Sequence, residues 1–212
     1  SSGLVVEGGT GRFDLPADKI LVAVGRTPNT QGYGLEGLGL TMAGGHVKID
    51  QVCATSMRAV YAIGDLTGEP MLAHRAMAQG VVVAAHNAKH PTISDKRALP
   101  AVCFTDPANV SVGALPTAGT KTSVFPLAAS GRAMTMERGD GFLRVVSQPG
   151  TGVVLGLQAG GAGVAELAGE FALAIEMGAT ETDLAETIHA HPTLGEAVAE
   201  TGHIALGHGL HL

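Results

Sequence analysis

Between residues 101 and 158 the chain carries five short runs of strand character, and three helical segments follow them with no further strand. That order leaves few folds open. Strands joined by short turns pair antiparallel, and helices that come after them must cover one face of the resulting sheet. The runs fall at 101–105, 110–114, 122–127, 141–147 and 153–158, with Asp106-Pro107 and Pro149-Gly150 as turns. Segment 163–177 places Val164, Leu167, Phe171 and Ile175 on one helical face and meets Gly178 as its stop, and 182–188 and 194–206 complete the set. Residues 97–212 read as an α+β layer, an antiparallel sheet with helices.

The first part of the chain has a different rhythm. Runs 4–7, 12–15 and 19–24, separated by Gly8-Gly9 and Pro16, read as a small meander whose last member is a fully buried strand. A turn-rich stretch through Thr27-Pro28-Asn29 follows Gly25, then runs 46–49 and 59–63, the second ending at Gly64-Asp65. Segment 73–89 has helical composition and stops at His90-Pro91. A linker is expected at 90–98, where Pro91, Ser94, Asp95 and Lys96 cluster.

Composition narrows the function classes. With 31 glycines, no tryptophan and 3% aromatic residues, the core must be built from Ala, Val, Leu and Ile, with many tight turns and close backbone approaches. A net charge of −6 and the lack of a Lys/Arg cluster argue against nucleic acid as a partner. No apolar run reaches the roughly 18 residues that span a bilayer. No basic leader opens the chain, so a cytoplasmic protein is the expectation. Cys53 and Cys103 lie outside any paired motif and read as reduced, buried small hydrophobes.

Four segments could carry chemistry. His189-Ala190-His191-Pro192-Thr193-Leu194-Gly195-Glu196 places an imidazole and a carboxylate across a proline turn, which is one way to build a base near neutral pH. The same stretch has the T-x-x-E spacing of a helix capping box, in which Glu196 would turn back to a backbone N–H. Gly25 ends an apolar run, where a missing Cβ lets a ligand or another backbone come close. Asp65 sits at the end of another, suited either to a turn or to accepting hydroxyls of a bound ligand. Met71-Leu72-Ala73-His74 opens the helical segment at 73–89, where backbone N–H groups favour partial negative charge.

The order and spacing of these four segments, with Thr105-Asp106-Pro107 and Gly131-Arg132-Ala133, resemble the C-terminal half of a dihydrolipoyl dehydrogenase. This flavoprotein group is part of the FAD-dependent pyridine nucleotide-disulfide oxidoreductase class I family, with glutathione reductase and mercuric reductase. The resemblance runs through nearly all 212 residues. It implies the end of an NAD-binding domain at 1–25, a returning α/β segment of an FAD-binding domain at 26–96, and a dimerisation domain at 97–212.

By the same resemblance, Gly25 matches the glycine beside the nicotinamide nucleotide and Asp65 the aspartate that binds the ribityl chain of FAD. Met71, Leu72, Ala73 and His74 match the helix start under the flavin ring. His191 matches the catalytic base, which works across a homodimer interface on the dithiol of the partner subunit, and Glu196 the carboxylate that orients it. The implied substrate is dihydrolipoamide on the lipoyl domain of a 2-oxoacid dehydrogenase complex, oxidised with NAD+ through FAD and a redox disulfide.

The sequence also departs from that pattern. The G-x-G-x-x-G phosphate loop and the C-x4-C disulfide motif are absent, which leaves open a redox-silent module that only dimerises. Pro107-Ala108-Asn109 and Gly160-Gly161-Ala162-Gly163-Val164 also differ, and the glycine run is expected to loosen a turn. His189 is a second-rank candidate whose bland role is structural. No metal site is expected, because His189, His191, His203, His208 and His211 suggest no preformed tetrahedral cage.

Overall fold

A computed structural model describes residues 3–9, 11–90, 92–94 and 97–211. The chain divides into two compact units, residues 1–92 and 93–212. Of the linker cluster expected at 90–98, Pro91, Asp95 and Lys96 lie outside the described residues.

The first unit opens with an antiparallel hairpin, β1 (Gly3–Gly8) against β2 (Gly11–Pro16), in register from Gly3↔Pro16 to Gly8↔Gly11. The fully buried strand expected at 19–24 does not form. Those residues pair with no strand, and Leu21 and Val24 are 90% and 93% exposed. An apolar run becomes a buried strand only beside neighbours that satisfy its backbone, and none of the described residues provides them.

Runs 46–49 and 59–63 are likewise reduced. A two-residue ladder joins β3 (Met42–Ala43) to β4 (His46–Val47), and the second run makes one bridge, Ala54↔Tyr61. The helix expected from residue 73 is present as α1 (Ala73–Asn87).

The second unit is the antiparallel sheet with helices that the sequence implied. Its strands are β5 (Ala101–Cys103), β6 (Ala108–Gly113), β7 (Lys121–Pro126), β8 (Phe142–Ser147) and β9 (Val154–Gly161), ordered β5-β6-β9-β8-β7 and antiparallel throughout. Alternation puts two apolar rows on one face. One runs Val102, Val110, Ala159, Leu143, Phe125, and the next Val112, Leu157, Val145. The opposite face carries Cys103, which is exposed rather than buried as expected, because Val102 takes the inward position on β5.

Helices cover the apolar face. A 3-10 turn at Val164–Leu167 leads into α3 (Ala168–Met177), and Val164, Leu167, Phe171 and Ile175 all enter the core before Gly178 ends the helix in the left-handed region. A short helix, α2 (Gly131–Thr135), lies between β7 and β8, and α4 (Glu181–Glu186) and α5 (Glu196–Leu206) close the described chain.

The glycine run near residue 160 does not loosen a turn. Gly160 and Gly161 extend β9, and a Cβ on Gly161 would stand 2.5 Å from Leu127 Cδ1, so the missing side chain lets Leu127 pack directly against the strand.

Candidate functional site

The second unit positions His191 and Glu196 at the start of α5. The His191–Pro192 peptide is cis, and the chain then reaches Gly195, which precedes the helix without a side-chain cap. Glu196 is the first helical residue. Its Oε1 accepts from His191 Nδ1 at 2.8 Å, and its Oε2 accepts from the Thr193 N–H at 2.9 Å. A carboxylate can only accept here, so His191 carries its proton on Nδ1 and presents the Nε2 lone pair outward.

Capping and orientation prove to be simultaneous, not rival, uses of one side chain. Half of the expected capping box forms. Glu196 reaches back to the Thr193 N–H, but Thr193 Oγ1 donates to the Ala190 carbonyl at 2.6 Å instead of serving the helix.

Electrostatics agree with an ionised Glu196. Burial is the largest influence and pushes its carboxyl up, but the Thr193 N–H and the neighbouring His191 outweigh it and hold the group below its ordinary range. The His191 side chain is 76% exposed. It borders a cavity of about 280 Å³ that Phe125, Met134, Glu200 and His211 also line.

His189 is placed differently. Its Nδ1 lies 2.9 Å from the Thr187 carbonyl oxygen and its Nε2 2.7 Å from a carboxylate oxygen of Glu170 on α3, so both ring nitrogens are engaged within the fold. It ties the turn before α5 to α3.

In the first unit, Asp65 lies in a 3-10 turn at Gly64–Thr67. That turn is fixed to α1, because buried Gln79 accepts the Gly64 N–H at 2.7 Å. Arg75 donates to the Gly68 and Pro70 carbonyls and to Thr67 Oγ1. Met71 and Leu72 are half-buried, Ala73 and His74 exposed, and the start of α1 has no side-chain cap and no acidic residue in its first turn. Gly25 is exposed with open space where a Cβ would stand, and its neighbour Arg26 lies 3.8 Å from the Asp65 carboxylate.

The sequence reading missed Gln79, Arg75 and Arg26 in this unit and Glu200 in the other, and it weighed His211 only as a metal ligand. Glu200 alone carried a legible signal, its spacing of one helical turn from Glu196. Among the described residues no cluster of three or more His, Cys, Asp or Glu side chains could hold a metal ion. No helix among them is long and apolar enough to cross a membrane.

The sequence matches the pyridine nucleotide-disulphide oxidoreductase family over residues 2–80 and the dimerisation domain of the same family over residues 99–201. The chain belongs to this family. A dihydrolipoyl dehydrogenase of Pseudomonas aeruginosa is 53% identical over an alignment covering 100% of this chain and 47% of the relative. One from Geobacillus stearothermophilus is 43% identical over 93% of this chain and 44% of its own length. The chain therefore spans about half the length of the curated relatives it matches.

Among solved structures, LpdA from Mycobacterium tuberculosis superposes with a TM-score of 0.78 at 29% identity, over 94% of this chain and 47% of that one. The flavoprotein disulfide reductase RclA from Escherichia coli gives a TM-score of 0.82 at 20% identity, over 95% of this chain and 48% of that one, a likeness of fold.

The family uses FAD and NAD(H). The first unit's residues fit part of such a group. The half-exposed Asp65 carboxylate, an acceptor for hydroxyls, lies in the turn that Gln79 ties to α1.

Proposed function

We propose that this chain supplies the thiol-activating base and the dimerisation domain of a flavoprotein that oxidises dihydrolipoamide to lipoamide with NAD+. The 2.8 Å bond from His191 Nδ1 to Glu196 carries the reading, because it leaves Nε2 free to take a proton. A dihydrolipoyl thiol loses its proton to Nε2, and the resulting thiolate attacks one sulfur of a redox disulfide supplied outside this chain. The second substrate thiol loses its proton in turn, attacks the substrate sulfur of the mixed disulfide and expels the enzyme sulfur as a thiolate, which closes the lipoyl ring and leaves the pair of electrons on the enzyme dithiol. Glu196 holds the ring and stabilises the imidazolium while it carries the proton.

Asp65 and the α1 start at Met71, Leu72, Ala73 and His74 would hold the ribityl and ring portions of FAD, and Gly25 would lie beside NAD. FAD, when bound, would supply the two-electron relay between the dithiol and NAD+. We assign 1–25 to the end of the NAD-binding domain, 26–96 to the FAD-binding domain and 97–212 to the interface. The lipoyl domain of a 2-oxoacid dehydrogenase complex is the substrate we assign, and the cytoplasm the compartment. Homodimerisation through 97–212 is supported by the dimerisation-domain match and by the exposed apolar side chains Leu173, Met177 and Ile188.

A second reading follows from the cysteines. Cys53 is buried, Cys103 is exposed and both are free, so the redox disulfide has no counterpart among the described residues. By itself the 212-residue chain would then be a redox-silent dimerisation module. Dihydrolipoamide-dependent NAD+ reduction, measured with a flavin absorbance spectrum on the same sample, separates the two. The isolated chain is expected to be colourless and inactive. In the complete flavoenzyme, His191→Gln is expected to abolish most dihydrolipoamide turnover, and full retention would overturn the base assignment.

A further inference from the structure

Glu196 and Glu200 are four residues apart on α5, so they share one face a single turn apart. Two carboxylates so placed repel unless each is compensated. Each one holds a histidine from a segment flanking the helix. Glu196 takes His191 from the preceding turn at 2.8 Å, and Glu200 Oε1 takes His211 Nδ1 from the following segment at 2.5 Å. The Leu210 N–H donates to the other Glu200 oxygen at 3.3 Å. All four titratable groups line the same 280 Å³ cavity, whose walls include Phe125 and Met134.

Glu200 is only 7% exposed, and a buried carboxylate persists only where it is paired and hydrogen-bonded. Its two oxygens are held from residues 210 and 211, so these bonds also fix that segment across the cavity beside His191. The His211 ring donates through Nδ1 and, with its side chain 70% exposed, presents its other edge outward in the same manner as His191.

We propose that Glu200 and His211 are positioning residues, a second histidine–glutamate pair that fixes the cavity wall against which the alkyl chain of the thiol substrate is held. This rests on the reading of His191 as the base. Unlike the first pair, Glu200–His211 handles no substrate proton. Its contribution belongs in substrate binding, which predicts a change in KM with little change in kcat.

The test is steady-state kinetics of His211→Ala and His211→Asn in the complete flavoenzyme, with dihydrolipoamide varied and NADH-driven reduction of an artificial acceptor as the flavin control. An Asn side chain places its N–H near the position of His Nδ1 and retains the bond to Glu200. His211→Ala is expected to raise the KM for dihydrolipoamide about fivefold, the loss typical of one hydrogen bond, with kcat within about twofold. His211→Asn should restore the KM, and Glu200→Gln should shift it in the same direction as His211→Ala. The acceptor reaction should not change.

An unaltered KM in His211→Ala would overturn the proposal. So would a parallel fall of kcat and acceptor reduction, which marks a purely structural defect. Full dihydrolipoamide turnover in His191→Gln would instead locate the fault in the base assignment.

Discussion

Glu196 gives one carboxylate oxygen to His191 Nδ1 at 2.8 Å and the other to the Thr193 N–H at 2.9 Å, so the residue that starts α5 also sets the tautomer of the imidazole. Replacing it by glutamine has a defined consequence. The Thr193 N–H still requires an oxygen, which turns the new amide NH2 toward His191. The ring must then accept at Nδ1 and carry its proton on Nε2. Glu196→Gln in the complete flavoenzyme is therefore expected to lower dihydrolipoamide turnover nearly as far as His191→Gln, by about 10²-fold or more. Turnover within a few-fold of wild type would show that the carboxylate does not set the tautomer.

The depressed carboxyl of Glu196 also predicts how stability follows pH. Its folded-state pKa lies below the ordinary value of 4.5, through the Thr193 and His191 bonds that overcome burial. A group with a lowered folded pKa stabilises the fold fully above its unfolded value and loses that contribution as pH falls through the folded one. The stability gap between wild type and Glu196→Gln should thus shrink as pH falls below about 4.5. Urea midpoints at pH 7, 5 and 3.5 for both chains check it, and a gap that does not narrow would contradict it.

How much of this was legible in the sequence depended on the range of the interactions. The sheet was readable because Val110 and Val112, Leu143 and Val145, and Leu157 and Ala159 alternate at period two, which already assigns the inner face. α3 was readable because its apolar stripe and the Gly178 stop are local. The run at 19–24 misled because apolarity specifies burial only where neighbouring strands exist. Within the site, His191 and Glu196 were visible as neighbours five residues apart. The Glu170–His189 and Glu200–His211 pairs close over 19 and 11 residues, through chain reversals that no local pattern announces.

One buried carboxylate joins four elements of the second unit. Glu181, at the start of α4, accepts from Ser147 Oγ of β8 at 2.5 Å and from Lys121 Nζ of β7 at 2.9 Å, and Lys121 also donates to the Ala205 carbonyl of α5. Ser147→Ala leaves one oxygen of a buried acid without that donor, an expected loss of about 1–3 kcal/mol. Lys121→Met removes the compensating charge and should cost about 3 kcal/mol, at the low end for a broken buried pair because the lysine is half-exposed. Urea denaturation of the intact chain reads both. A Lys121→Met loss under about 1 kcal/mol would mean that the pair behaves as a surface ion pair.

Two glycines of the second unit predict opposite responses to the same substitution. A Cβ on Gly156 of β9 would stand 2.0 Å from the Ala114 carbonyl oxygen and 2.8 Å from its nitrogen, both backbone atoms at the end of the neighbouring strand. The sheet must part to admit it. Gly156→Ala is expected to destabilise by about 3 kcal/mol or more, as overpacking against backbone does. Gly169 lies in the first turn of α3 with nothing within 4 Å of its would-be Cβ, so alanine meets open space and gains helix propensity. Gly169→Ala should stabilise by about 0.5–1 kcal/mol. Thermal and urea unfolding of the two variants beside wild type decide the matter, and a Gly156→Ala chain as stable as wild type would mean that β6 and β9 are not held this closely.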